Sequence, residues 1–121
     1  MKHKKVGRKF GRVRNQRKAF LNGLLGNLIE KERIITTEAR AKETKRLIDG
    51  IINKAKEARK DKSRKVAILR ELEKDLSVPT VKKLAGDFVD RFESRNSGYS
   101  RVIRIERRKS DGSRMSIIEF V

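Results

Sequence analysis

Three groups of side chains in this chain have the type and spacing to do chemistry. The first is a run of cations. Residues 1–29 hold nine Lys and Arg, ending in Arg14, Arg17 and Lys18, and no Asp or Glu; the first acid is Glu30. The second is a set of carboxylates, Asp87, Asp90 and Glu93, recurring every three residues. They could collect a magnesium ion, but three carboxylates on the polar side of an amphipathic helix read more simply as a solvated face. The third is the single histidine, His3, which lies among the cations. Nothing fixes its orientation there, so it is a poor general base. It reads either as a stack or hydrogen bond to nucleic acid, or as a solvated side chain. The chain has no cysteine, which excludes disulfides, thiol catalysis and Cys-based zinc. Gly7 to Gly11 is neither a phosphate-binding loop nor a dinucleotide fingerprint. The expectation is a protein that is not an enzyme, with no cofactor, no metal and no small-molecule substrate.

The cations point to nucleic acid. Net charge is +18 from 34 basic and 16 acidic residues, with a pI near 10.9. Half of that excess sits in the first quarter of the chain. Residues 1–14 show no apolar periodicity: Val6, Phe10 and Val13 stand apart, and Gly7 and Gly11 interrupt them. Such a segment buries too little surface to offset the entropy of ordering itself. It is expected to stay extended or disordered until a polyanion neutralises it. This divides the chain into a basic arm, residues 1–14, and one domain, residues 15–121. Further cations gather at the start of the second helix and from Arg91 through Arg95 to Arg101 and Arg104. Tyr99, beside Gly98, could stack on an unpaired base or sit against the sheet. Composition does not choose between RNA and DNA. No apolar run approaches membrane-spanning length. The N-terminus has no apolar core of a secretory signal, and Gly7 and Gly11 spoil an organellar presequence helix.

The elements that would position these groups follow from periodicity. Asn15 is a plausible cap for a first helix with a stripe of Phe20, Leu21, Leu24, Leu25, Leu28 and Ile29. Arg17 and Lys18 fall in its first turn, with Arg14 just before it. The helix dipole disfavours cations there, and no nearby acid explains them, which favours RNA contact. Residues 32–36 read as a strand centred on Ile34 and Ile35. Thr36 or Thr37 caps a second helix running to about Arg59, with Leu47, Ile48, Ile51, Ile52 and Ala55 as its core face. Glu38 and Lys42 are spaced to pair. Ser63 can cap a third helix with Ile68, Leu69, Leu72 and Leu76. Pro79 opens a fourth, whose stripe is Val81, Leu84, Ala85, Phe88, Val89 and Phe92. Strands at about residues 100–107 and 114–121 flank Asp111-Gly112, a hairpin signal. The expected fold is α+β in two layers, order α-β-α-α-α-β-β, with helices packed on a small sheet and an extended basic N-terminal arm.

The residues now in hand resemble a known family. Met1-Lys2-His3-Lys4-Lys5-Val6-Gly7-Arg8-Lys9-Phe10-Gly11-Arg12 is similar to the opening of bacterial large-subunit ribosomal protein seventeen. So are Arg17-Lys18-Ala19, Arg33-Ile34-Ile35-Thr36-Thr37 and Ala41-Lys42-Glu43. Arg95-Asn96-Ser97-Gly98-Tyr99-Ser100-Arg101-Val102-Ile103 and Met115-Ser116-Ile117-Ile118-Glu119-Phe120-Val121 fit at the far end. Gln16 stands where the family usually has histidine, and Ser110-Asp111-Gly112 near where it has a Gly-Asp pair.

The resemblance implies a non-catalytic component of the large subunit. It would lie in the cytoplasm, in the ribosome, near the polypeptide exit region. It would bind large-subunit ribosomal RNA beside neighbouring ribosomal proteins, with no membrane partner and no self-association. By motif position, Lys2, His3, Lys4, Lys5, Gly7, Arg8, Lys9 and Arg12 would touch RNA. Arg17, Lys18, Thr36, Thr37, Lys42, Arg95, Ser97, Tyr99 and Arg101 carry over in the same way. Two other classes stay in view. One is a DNA-compacting or regulatory protein; the other is an RNA-processing nuclease built on Asp87, Asp90 and Glu93.

Overall fold

A computed structural model describes residues 8–121. Its elements follow the expected order: α1 (Arg14–Lys31), β1 (Arg33–Thr37), α2 (Glu38–Lys60), α3 (Lys65–Glu73), α4 (Val78–Ala85), a 3₁₀ segment (Asp87–Phe92), β2 (Ser100–Arg104) and β3 (Met115–Phe120). Lys2, His3, Lys4, Lys5 and Gly7 lie outside the described residues.

The long helix α2 is the spine. Ala41, Thr44, Ile48, Ile52, Ala55 and Ala58 recur at three- and four-residue spacing, and all are buried. Leu28 and Ile29 of α1, Val81 and Leu84 of α4, and Ile118 of β3 join them in one core. Each large aliphatic side chain among them contributes on the order of 1.5–3 kcal/mol on leaving water. α1 ends at Glu32, which takes a left-handed conformation (φ 63°) while its N–H donates to the Leu28 carbonyl at 2.6 Å. That conformation is costly for a residue with a Cβ. Lys83 and Arg91 both grip the Glu32 carboxylate and hold it in place.

The sheet has strand order β1-β3-β2 with both pairs antiparallel, so the last strand in sequence is central. Alternation sorts its side chains by face. The rows Ile34–Ile118–Val102 and Thr36–Ser116–Arg104 share the helix-covered face. The rows Arg33–Glu119–Arg101 and Ile35–Ile117–Ile103 share the other, which no described helix covers. At the near end of the sheet, Phe88, Phe92, Tyr99 and Phe120 pack edge-on or tilted, with centroids 5.2–5.6 Å apart.

Four local expectations are corrected. α1 begins at Arg14 with Val13, not Asn15, in the cap position, because residues 9–12 already turn back toward it. Ser63 does not cap α3: its hydroxyl and N–H both donate to Asp61, and the helix starts after Arg64. The fourth stripe is split at Gly86, where ψ is −157°. Beyond it the chain winds as a 3₁₀ helix, which aligns residues three apart and so buries Val89 with Phe92. The hairpin is longer than a two-residue turn. The Gly112 N–H donates to the Arg108 carbonyl at 2.8 Å, with Gly112 at φ 70°. The Arg108 guanidinium forks onto Asp111 at 3.0 and 2.7 Å and holds that carboxyl far below the usual range. This shortens both strands relative to the expectation.

Candidate nucleic-acid interface

Two cationic clefts lie side by side at the start of α2. One, of about 370 Å³, is lined by Arg8, Thr37, Glu38, Ala39, Lys42, Ser113 and Arg114. The other, of about 260 Å³, is lined by Glu38, Arg104, Ile105, Arg107, Arg114 and Met115. Glu38 and Arg114 belong to both. β1 delivers the chain to this point, and α2 starts there with no side-chain cap on its first-turn amides. The Glu38 N–H is taken by the Arg114 carbonyl at 2.9 Å, which ties the helix start to the hairpin flank. The positive end of a helix and five cations therefore line the two clefts, with Glu38 the one carboxylate among the lining residues.

Glu38 is that carboxylate. Lys42 Nζ approaches it at 2.9 Å and an Arg104 nitrogen at 3.1 Å. The Lys42 hydrogen bond, with the charges of Arg104 and Arg114, holds it below the usual carboxylate range despite partial burial. Glu38 pairs with two of the five and Glu43 with Arg8, which leaves Arg107 and Arg114 without an ion-pair partner among the described residues. The surplus is suited to phosphate oxygens along a nucleic-acid backbone.

The root of the arm is fastened nearby. Arg8 reaches the buried carboxylate of Glu43 at 3.4 Å, which Arg46 also pairs at 3.4 Å. Phe10 packs edge-on against Phe20 at 5.3 Å. Arg12 lies over the Phe20 ring at 4.0 Å and Arg40 of α2 at 4.9 Å. Phe20, expected in the core stripe, is instead a half-buried peg joining arm, α1 and α2. A second groove, of about 360 Å³, gathers Arg14, Arg17 and Lys18 over Leu21, Leu25, Leu47 and Ile51. Lys18 pairs there with Asp75 at 3.4 Å, both exposed and so weakly coupled.

The structure thus brings Arg8, Thr37 and Lys42 together in one cleft, and Arg14, Arg17 and Lys18 in another. Lys9 is exposed. Arg95 and Ser97 lie apart on an exposed loop that Asp49 holds by accepting the Gly98 and Tyr99 N–H groups at 3.2 and 3.3 Å. Arg101 is on the uncovered sheet face, paired with Glu119 at 3.2 Å. Two residues are corrected. Tyr99 is fully buried against Phe92, with its hydroxyl bonded to Asn53, so it cannot stack on a base. Thr36 is buried on the helix side of the sheet. Among the described residues no group of acids or histidines is placed to hold a metal. Asp90 instead takes a fork from Arg59 at 3.1 and 3.0 Å. No described helix is long and apolar enough to cross a membrane.

A family model described as ribosomal protein L17 matches residues 20–121. The chain belongs to this family. It is 44% identical over 121 residues to the large ribosomal subunit protein bL17 of Thermodesulfovibrio yellowstonii, covering 100% of this chain and 87% of that one. It is 39% identical over 124 residues to the protein of that name from Petrotoga mobilis, covering 100% and 97%. With the Lactococcus lactis subsp. cremoris protein of that name it shares 40% over 123 residues, covering 94% and 98%. The alignments with the first two take in the basic arm, which the family model does not.

Sequence reasoning missed Arg107, Ser113 and Arg114 as members of the site. The signal was present: residues flanking a hairpin turn are brought side by side, and three of the cations stood on those flanks. It counted Arg40 among the cations at the start of α2 but did not foresee its place over the Phe20 peg, because a helical stripe does not say which of its residues faces the core.

Proposed function

We propose that this chain is a structural constituent of the large ribosomal subunit. It binds large-subunit ribosomal RNA through the arm, residues 1–14, and through the cationic clefts at the start of α2. The name its relatives carry, large ribosomal subunit protein, comes over to this chain on full-length similarity. The observation that carries the RNA reading is the gathering of Arg8, Lys42, Arg104, Arg107 and Arg114 around two clefts whose one lining carboxylate is Glu38. The domain, residues 15–121, supplies shape, and the arm threads between RNA segments and locks them together. The work is done in the ribosome, in the cytoplasm and near the polypeptide exit region. It involves neighbouring ribosomal proteins but no catalysis, cofactor, small molecule or second copy.

The decisive experiment is a sucrose-gradient profile of the tagged chain with and without residues 1–14. The full chain is expected with the large subunit, and the truncated one is expected to fold but fail to incorporate. With purified RNA, the slope of log affinity against log salt drops by roughly 0.7–0.9 for each phosphate that truncation leaves without a cation. Normal incorporation of the truncated chain would sink the threading role. Chromosomal DNA as the co-purified nucleic acid would support the DNA-binding alternative instead.

A further inference from the structure

The clefts use one side of the hairpin flank; the uncovered face of the sheet has a different chemistry. Its middle row is Ile35–Ile117–Ile103, three aliphatic side chains in register across all three strands. Ile35 is 63% exposed and Ile103 41%, while the central Ile117 is buried, so the two outer strands carry the exposed part of the row. Ile105, 38% exposed and also a wall of the smaller cleft, marks where this face meets the cationic one, and its N–H donates to the Met115 carbonyl at 3.1 Å. An antiparallel sheet with one face in water ordinarily alternates apolar and polar. Here the uncovered face carries an aliphatic row beside its charged one.

We infer that this face is the docking surface for a neighbouring protein of the large subunit, one that presents aliphatic side chains bordered by a carboxylate. The inference rests on the ribosomal reading and adds to it which surface meets protein instead of RNA. Aliphatic side chains give phosphate nothing, and the patch has no aromatic ring for a base to stack on. Its one charged row is Arg33–Glu119–Arg101, in which Arg101 pairs with Glu119 at 3.2 Å. With two arginines and one glutamate the row carries one surplus positive charge, which a single partner carboxylate would complement. A second copy of the chain is the wrong occupant. It would bring a +18 molecule face to face with its like and set two arginine rows against each other. The segregation is that of a bivalent scaffold, with cations for RNA around the start of α2 and aliphatics for protein across the sheet.

The test places a photoreactive benzoylphenylalanine at Ile103 in the full chain and irradiates large subunits purified from cells. A crosslink to one ribosomal protein is expected. In parallel, the uncharged variant Ile35→Ser with Ile103→Ser is expected to lower recovery of that protein in the subunit by about tenfold. Both sites are exposed, so RNA affinity of the purified variant stays unchanged. A crosslink to RNA, to a second copy or to nothing, in subunits that contain the chain, overturns the docking surface alone. Absence of the chain from the subunits overturns the ribosomal reading and this inference with it.

Discussion

The cations at the start of α2 and those along the 3₁₀ segment look alike in sequence and end up in opposite states. Around the 3₁₀ segment they are matched by acids. Arg59 forks onto Asp90, and Lys83 and Arg91 share Glu32. Arg91 also lies over the Phe92 ring at 5.3 Å, where its charge is partly satisfied. At the start of α2, five cations line two clefts: Lys42 and Arg104 share Glu38, Arg8 pairs with Glu43, and Arg107 and Arg114 have no ion-pair partner among the described residues. The difference teaches that availability for phosphate depends on how many acids lie within reach in space, not on local charge density. One region uses its cations to hold the fold, and the other holds them in surplus for a partner.

Breaking each region separately is the test of that division. The largest effect is expected from Phe92→Ala. Phe92 is fully buried and touches the rings of Phe88, Tyr99 and Phe120. Its removal costs roughly 3–5 kcal/mol of stability, read as a shift in urea midpoint. RNA affinity, corrected for the folded fraction, is expected not to move. The next effect comes from Arg107→Gln with Arg114→Gln. The salt slope for RNA is expected to fall by about two, with affinity down by roughly tenfold at moderate salt. Arg59→Gln is the control: it removes the same kind of charge from a paired site and is expected to change RNA affinity by less than about twofold. If Arg59→Gln weakened RNA binding as much as the double variant, the division between paired and surplus cations would be wrong.

What was legible in the sequence follows the same line. Periodicity located every helix stripe and both ends of the sheet, since burial of Ile48, Ile52 and Leu84 needs only local spacing. It did not show the break at Gly86, because Val81 to Phe92 keeps a helical spacing that a 3₁₀ turn satisfies nearly as well. The arm's charge was legible, but the fastening of its root was not. Phe10 and Phe20 meet across a turn that depends on Phe10 at φ 54° and Gly11 at φ 62°. Tyr99 misled because a Gly-Tyr pair in a basic loop has the composition of a stacking site. Only its tertiary packing against Phe92 and its bond to Asn53 place it inside. Pairing of cations is a through-space property, so the partners Arg59–Asp90 and Lys83–Glu32, far apart in sequence, lay beyond any reading of adjacent residues.

The smallest expected effect sharpens the comparison most, because its two parts have opposite signs. Glu38 is held below the usual carboxylate range by Lys42, with Arg104 and Arg114 adding to the effect. A depressed folded-state value stabilises the protein above the unfolded value, and this is lost as pH falls through the folded one. The urea midpoint of the chain is therefore expected to decline as pH drops below about 4.5. Glu32, lowered mainly by its hydrogen bond from Lys83, contributes to the same limb. Glu38→Gln is expected to flatten part of this decline and to lower stability slightly at neutral pH. Yet it also releases Lys42 and Arg104 from the acid they share, so RNA affinity at neutral pH is expected to rise a few-fold. A purely structural acid would lower both quantities together. A drop in RNA affinity in Glu38→Gln, at unchanged folded fraction, would mean that Glu38 orients the arginines for phosphate instead of competing with it.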